Sequence, residues 1–279
     1  MCMHYNYQLL SQEQCEGYLA RIGLSSVKLS GLTPSVSLLN RIVDAHQKAI
    51  PFEDIDVYQK GETIPLDLDS LYRKVILKER GGYCFELNGL FVCFLRSLGF
   101  EATSCMCRVV KEPGVIRGIS HAGNIVRLDG NMYFCDVGFG GPMPSGALLI
   151  RDQLHQTIGK EEFWPVDQKD GWWGLMRQRK GQNDDYNPGQ ASGAAMEILF
   201  STTAADPEDY KIFSLALTSN PMSRFRQAYL VNLRTETGYK GIVDSVYTEK
   251  VNDVVTRTEI VDEAQRLHIL EEKFGIRLD

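Results

Sequence analysis

The stretch Arg80-Gly-Gly-Tyr-Cys-Phe-Glu-Leu-Asn88 decides how the chain is to be read. Two glycines stand just ahead of a cysteine, and the cysteine opens an apolar run. Leu87, Leu90, Phe91, Phe94, Leu95 and Leu98 recur at helical spacing until Gly99, which suits a left-handed stop. The pattern predicts a helix that begins near Cys84. The first amides of a helix lack intrahelical partners and carry the positive end of its dipole. That setting favours a thiolate, and the same amides can stabilise an oxyanion developing beside the sulfur. Glycines permit a tight turn and a close approach to the backbone. Covalent acyl transfer through Cys84 is the chemistry this arrangement suits, although a buried structural cysteine fits the segment equally well. Cys93, between Val92 and Phe94 inside the helix, reads as core.

Toward the N-terminus the chain reads as further helices. Ser11-Gln-Glu-Gln14 is a capping box opening a helix to about Ile22. Thr33 before Pro34 predicts an N-cap, with Val36, Leu39, Val43 and Ile50 on one face of a helix ending before Pro51. Leu71, Tyr72, Val75 and Ile76 predict a third helix from about Leu68. Beyond Gly99 the pattern changes to strands at 101–110, 124–128 and 131–137, the last two joined by Asp129-Gly130, a strong hairpin signal. Residues 140–195 read as loops and irregular strands, with a polar loop at 181–193. A strand at 195–201 and a helix from Asp206-Pro207-Glu208 to about Thr218 follow. Strands at 227–234, 241–246 and 254–260 and a final helix at about 262–274 complete an α+β order.

The bulk properties exclude several classes. Of 279 residues, 43% are hydrophobic and 24% charged, an ordinary globular balance. A formal net charge of -6 and no Lys/Arg-rich run argue against a nucleic-acid or membrane-surface binder. A phosphorylated substrate would then need a locally basic or backbone-lined site. The start of the chain has neither a basic n-region nor an apolar h-region, so a soluble, cytoplasmic protein is expected. The seven cysteines, Cys2, Cys15, Cys84, Cys93, Cys105, Cys107 and Cys135, do not form a disulfide or zinc pattern. Cys105 and Cys107 read as strand packing.

A catalytic cysteine needs a proton acceptor, and the acceptor needs an orienting partner. Of the five histidines, His4 lies near the terminus, His46 and His268 fall in predicted helices, and His155 has no clear place. His121 opens the first strand of the predicted hairpin. If Asp129-Gly130 is a two-residue turn, paired positions sum to 259, so Asp136 faces Gly123. Side chains alternate along a strand, so Asp136 lies diagonally from His121 on one face, roughly 7–8 Å apart at Cα and within reach of a hydrogen bond. Singly, each residue fits an ordinary structural role. Together, the buried setting Phe-Cys-Asp136-Val-Gly-Phe demands a partner for the carboxylate, and His121 is the candidate.

These segments resemble those of the arylamine N-acetyltransferases. Arg80–Asn88 is similar to the family's nucleophile motif, Ser120-His121 and Asp136-Val-Gly-Phe-Gly140 to its other two triad segments, and Pro51-Phe-Glu-Asp54 to an element that usually ends in Asn. Residues 51–142 carry the resemblance. It implies an α+β fold with a helical domain at 1–100 bearing the nucleophile, an antiparallel β-barrel-like domain at 101–200 bearing His121 and Asp136, and an α/β lid at 201–279, on a papain-like cysteine-enzyme core. It also implies ping-pong chemistry. Acetyl-CoA acylates Cys84, and an arylamine, arylhydroxylamine or hydrazine takes the acetyl group, with no metal and no tightly bound cofactor. Phe139 and Phe52 are expected at the acceptor pocket and Gly138 and Gly140 near coenzyme A. Arg80 and Glu86 are expected to pair beside the nucleophile. A cysteine hydrolase or amidase, or a biosynthetic amide-forming acyltransferase, would use the same triad, and a non-catalytic relative used for binding also fits. The long segment after residue 200, able to exclude water, favours transfer. The oligomeric state is left open.

Overall fold

The computed structural model describes residues 7–61, 63–111, 114–180, 192–252 and 254–278. The 181–193 loop falls largely outside them, as do Cys2 and His4. Helix α1 (Gln12–Arg21) opens on the Ser11–Gln14 capping box, with both reciprocal bonds made. Helix α2 (Val36–Ala49) is capped by Ser35, whose hydroxyl accepts from Leu38 N–H, and not by Thr33. Pro34 stays outside the helix and the extended Ser35 takes the cap. After the two-residue strand β1 (Phe52–Glu53) come α3 (Ile55–Lys60) and α4 (Leu68–Tyr72), which runs on into a π-helical turn at Arg73–Leu77. Helix α5 (Cys84–Ser97) starts at Cys84, and Gly99 takes φ +87° beyond its end. Tyr18, Leu39, Ile42, Val75, Leu90, Phe91 and Phe94 form the core of this helical layer.

Strands β2 (Glu101–Val109), β3 (His121–Leu128) and β4 (Asn131–Cys135) form an antiparallel meander. Asp129 (φ +50°) and Gly130 (φ +73°) make the two-residue turn, and Asn124 pairs with Cys135, so the register sums to 259. The region read as irregular holds four ordered strands: β5 (Leu148–Leu149), β6 (Gln156–Ile158), β7 (Glu161–Asp167) and β8 (Trp172–Arg179). With β9 (Gly193–Ala205) they complete an eight-stranded sheet, β5-β4-β3-β2-β9-β8-β7-β6. It rolls until β5 meets β7, nearly closing a barrel around Cys105, Cys107, Ile125, Phe134, Phe163, Ile198 and Phe200. The two cysteines are strand packing, as their sequence suggested.

Helices α6 (Pro207–Ser219) and α7 (Arg224–Gln227) lead to a second sheet. Its strands are β10 (Leu230–Arg234), β11 (Gly238–Val243), β12 (Val246–Val251) and β13 (Val254–Glu259), backed by α8 (Glu263–Phe274). The sheet order is β1-β10-β11-β12-β13. Strand β1, far away in sequence, thus completes the C-terminal sheet at the edge nearest the nucleophile. Among the described residues, no helix is long and apolar enough to cross a membrane.

Candidate active site

Three elements converge on one buried point. Helix α5 presents Cys84 from its first turn, β3 presents His121 from its first position, and the chain leaving β4 presents Asp136. The three residues are 2%, 3% and 2% exposed. His121 Nε2 lies 2.6 Å from Asp136 Oδ2, the diagonal contact that the register requires. Cys84 stands close enough to His121 for its charge to act on the ring, and its Sγ lies 3.9 Å from O of the adjoining Ser120. With Nε2 given to the carboxylate, the other ring nitrogen is the one left for sulfur. Thiol, ring and acid thus stand in series.

The electrostatics follow from this order. Burial alone lowers the pKa of His121, but the charges and hydrogen bonds of Asp136 and Cys84 outweigh it and raise the imidazole from 6.5 to about 10. His46 is an internal contrast. Equally buried, it has only the Tyr18 hydroxyl at 2.7 Å as a partner, and desolvation aided by Arg21 lowers it to about 3. His155 pairs with Glu162 and stacks on Trp164, and exposed His268 lies near Glu272. Of the two fully buried histidines described, His121 has partners that outweigh the effect of burial and His46 does not.

Asp136 is itself held in place. Its Oδ1 accepts from Asn88 Nδ2 and from Gly138 N–H, both at 2.9 Å. Asn88 also donates to Ala122 O and accepts from Val137 N–H and Asn124 Nδ2. One buried amide thus ties α5 to both strands bearing the other two residues. The motif contains Asn88, but its role emerges only with the fold. The available signal was its spacing, four residues after Cys84 and so on the same helical face.

The glycines before Cys84 admit the chain's own backbone. A Cβ on Gly81 would lie 2.0 Å from Pro51 O, and one on Gly82 would meet the Glu86 side chain at 2.8 Å. Phe52 bridges Gly82, and Glu53 N–H donates to Gly82 O at 2.9 Å. The expected Arg80–Glu86 pair is not formed. Arg80 Nε and Nη2 donate to Glu53 Oε1 at 3.1 and 2.8 Å, whereas Glu86 pairs with Lys74 at 2.8 Å and accepts Tyr83 N–H at 3.0 Å. Lys74 also reaches Asp56 at 2.9 Å. The reason is topological: β1 inserts Glu53 beside Arg80, and the π-helical turn brings Lys74 to Glu86. This buried cluster fixes the turn that delivers the nucleophile.

Phe139 meets the His121 ring edge-on at 5.3 Å, and Phe52 packs in the apolar cluster that holds Cys84 and Tyr83. Phe52, Phe139, Gly140, Gly141, Gln47, Met143, Asn232 and Arg234 line a small crevice open to solvent. Gly138 lies elsewhere, against Cys84: a Cβ there would be 3.0 Å from Cys84 Cα. Among the described residues no group of three or more His, Cys, Asp or Glu could hold a metal.

Residues 35–279 match the N-acetyltransferase family model. The chain belongs to the arylamine N-acetyltransferase family. It is 29% identical to the arylamine N-acetyltransferase pineal gland isozyme NAT-3 of Gallus gallus, over 94% of this chain and 93% of the relative. It is 28% identical to the arylamine N-acetyltransferase of Escherichia coli, over 94% and 88%. The solved structure of the Salmonella typhimurium arylamine N-acetyltransferase superposes with a TM-score of 0.83 at 25% identity, covering 96% of this chain and 92% of that one. The α+β architecture with its nearly closed barrel is thus that of the arylamine N-acetyltransferases.

Proposed function

We propose that Cys84, His121 and Asp136 are the catalytic triad of an acetyl-CoA-dependent arylamine N-acetyltransferase. The observation that carries this reading is the buried series Asp136–His121–Cys84, with the imidazole raised to about 10 beside a helix-start sulfur. His121, held as imidazolium by Asp136, keeps the Cys84 sulfur anionic. The sulfur attacks the thioester carbonyl of acetyl-CoA, and first-turn amides of α5 receive the developing oxyanion. Collapse expels coenzyme A thiolate, which takes its proton from His121. The neutral imidazole then accepts a proton from the amine, arylhydroxylamine or hydrazine as its nitrogen or oxygen attacks the acetyl-cysteine. Collapse of that second intermediate returns Cys84 as thiolate beside the recharged imidazolium.

Phe52 and Phe139 offer aromatic walls for a flat acceptor, and Gly140, with φ +70°, lets the Phe52 ring pack directly on the backbone of the same crevice. Gly138, whose N–H is engaged by Asp136, supports the triad from behind. All six described cysteines are free thiols, which suits a reducing cytoplasm. A ping-pong enzyme releases one equivalent of coenzyme A per protein before any amine is added. Thiol titration after mixing with acetyl-CoA alone should show that burst. Continuous release with hydrolysis, at the rate seen with amine present, would favour a hydrolase.

A further inference from the structure

Asp54 occupies the position at which the Pro-Phe-Glu element usually carries asparagine, and it closes a seam between the nucleophile and the C-terminal sheet. One side of the Phe52–Glu53 strand touches the nucleophile turn, through the Phe52–Gly82 bridge and the Glu53 N–H to Gly82 O bond. Its other side pairs with β10, Phe52 opposite Asn232 and Glu53 opposite Val231. Asp54 extends that pairing in both directions: its N–H donates to Leu230 O at 3.2 Å, and its Oδ1 accepts Leu230 N–H at 2.8 Å. The residue is 1% exposed, and Oδ2 is buried with no hydrogen-bond partner.

The surrounding charges do not favour an anion there. Glu53 is the neighbouring carboxylate, already bonded to Arg80 and to Ile55 N–H, with Lys74 close by. From α7, Arg224 opposes it across a distance, and β10 contributes only the Leu230 amide. Burial is the largest influence and pushes the Asp54 carboxyl up to about 8. Glu53 adds to the rise, while the Leu230 N–H and Arg224 oppose it. A neutral acid leaves one unpaired hydroxyl in the seam. An ionised one leaves an uncompensated charge, which is relieved when β10 parts from β1 and water reaches Oδ2.

We propose that Asp54 is a proton-gated positioning residue. As a neutral acid it latches β10 to β1 and steadies the Gly81–Gly82 turn under Cys84, and its ionisation loosens that seam. The effect on rate rests on the proposed acyl transfer; the latch itself does not. The folded chain retains a proton that the unfolded chain releases between about pH 4 and 8. Stability therefore falls as pH rises through that window and levels off above it.

The test compares wild type with Asp54→Asn, which keeps an oxygen for Leu230 N–H and cannot ionise. The folding equilibrium of the variant should gain on wild type by up to about tenfold per pH unit from pH 5 to 8. Its Tm advantage should widen over that range and stay constant above about 8.5. Amide exchange at Leu230, at matched pH, should accelerate in wild type alone above pH 8. The rate of coenzyme A release from the first half-reaction should decline in wild type between pH 7.5 and 8.5 and hold in Asp54→Asn. A Tm difference independent of pH, or a carboxyl carbon resonance showing Asp54 ionised at pH 6, would overturn the latch. Stability and exchange need no substrate, so their failure leaves acyl transfer untouched. Loss of the coenzyme A burst with the pH-dependent Tm gap intact would remove the catalytic reading and spare the latch.

Discussion

Replacing Asp136 by asparagine tests the electrostatic core of the site with almost no change of shape. The amide oxygen still accepts from Gly138 N–H and Asn88 Nδ2, both at 2.9 Å, so the fold should survive. Across the 2.6 Å contact, however, the amide nitrogen becomes a donor, and His121 Nε2 must accept. The ring's proton then sits on the nitrogen facing sulfur, where it cannot serve as base for a thiol. The charge is lost as well. His46, buried without a carboxylate and with the Arg21 charge nearby, is lowered to about 3, against about 10 for His121. Without Asp136, His121 should fall below neutrality and be uncharged at pH 7.5. The analogous carboxylate-to-amide change in a serine triad costs about 10⁴-fold, so cysteine acetylation should slow by about 10²–10⁴-fold. Nitrogen-15 NMR of the histidines reads the protonation state, and rapid-quench mass measurement reads the rate. An imidazolium persisting at pH 8 in the variant, or acetylation within tenfold of wild type, would refute the reasoning.

Other outcomes follow from the same contacts. Asn88→Ala should remove the acceptor of Val137 N–H and Asn124 Nδ2, leaving two buried donors unpaired at about 1–3 kcal/mol each, with a Tm lower by several degrees in calorimetry. Arg80→Met removes the guanidinium bonds of the buried Glu53 carboxylate and leaves it the Ile55 N–H and Lys74 at 3.6 Å, so up to about 3–5 kcal/mol of stability should disappear from urea unfolding. The raised imidazole of His121 contributes stability that is complete below about pH 6.5 and is lost as pH rises through about 10. His121→Gln should therefore flatten the Tm profile over that interval, which pH-dependent thermal scans would show.

Much of the site was legible because its geometry is local. Asp129-Gly130 favours a two-residue turn, and with that turn strand alternation puts Asp136 beside His121. Cys84 followed from the sudden start of an apolar helix after two glycines. What escaped the sequence depends on distant segments. Glu53 meets Arg80 because a two-residue strand joins a sheet otherwise built from residues beyond 230, and no period betrays so short an element. Lys74 turns toward Glu86 through a π-helical turn that the helical pattern of Val75 and Ile76 conceals. Strand β8 escapes sequence reading because Gly174 and the half-buried Trp172 and Trp173 blur the alternation on which it depends, and β7 because Pro165 interrupts a consecutive buried run, Phe163–Pro165. Strand β12 carries threonine, glutamate and lysine at half-buried positions, so its polarity conceals it in the sequence.

The central claim is that Cys84 itself carries the acetyl group. Intact-protein mass spectrometry after mixing with acetyl-CoA and no amine should show one added acetyl group, mapped by peptide analysis to Cys84. It should be absent in Cys84→Ala and discharged when an arylamine is supplied. An adduct that persists in Cys84→Ala, or a wild-type protein that gains no acetyl group while remaining folded, would contradict it.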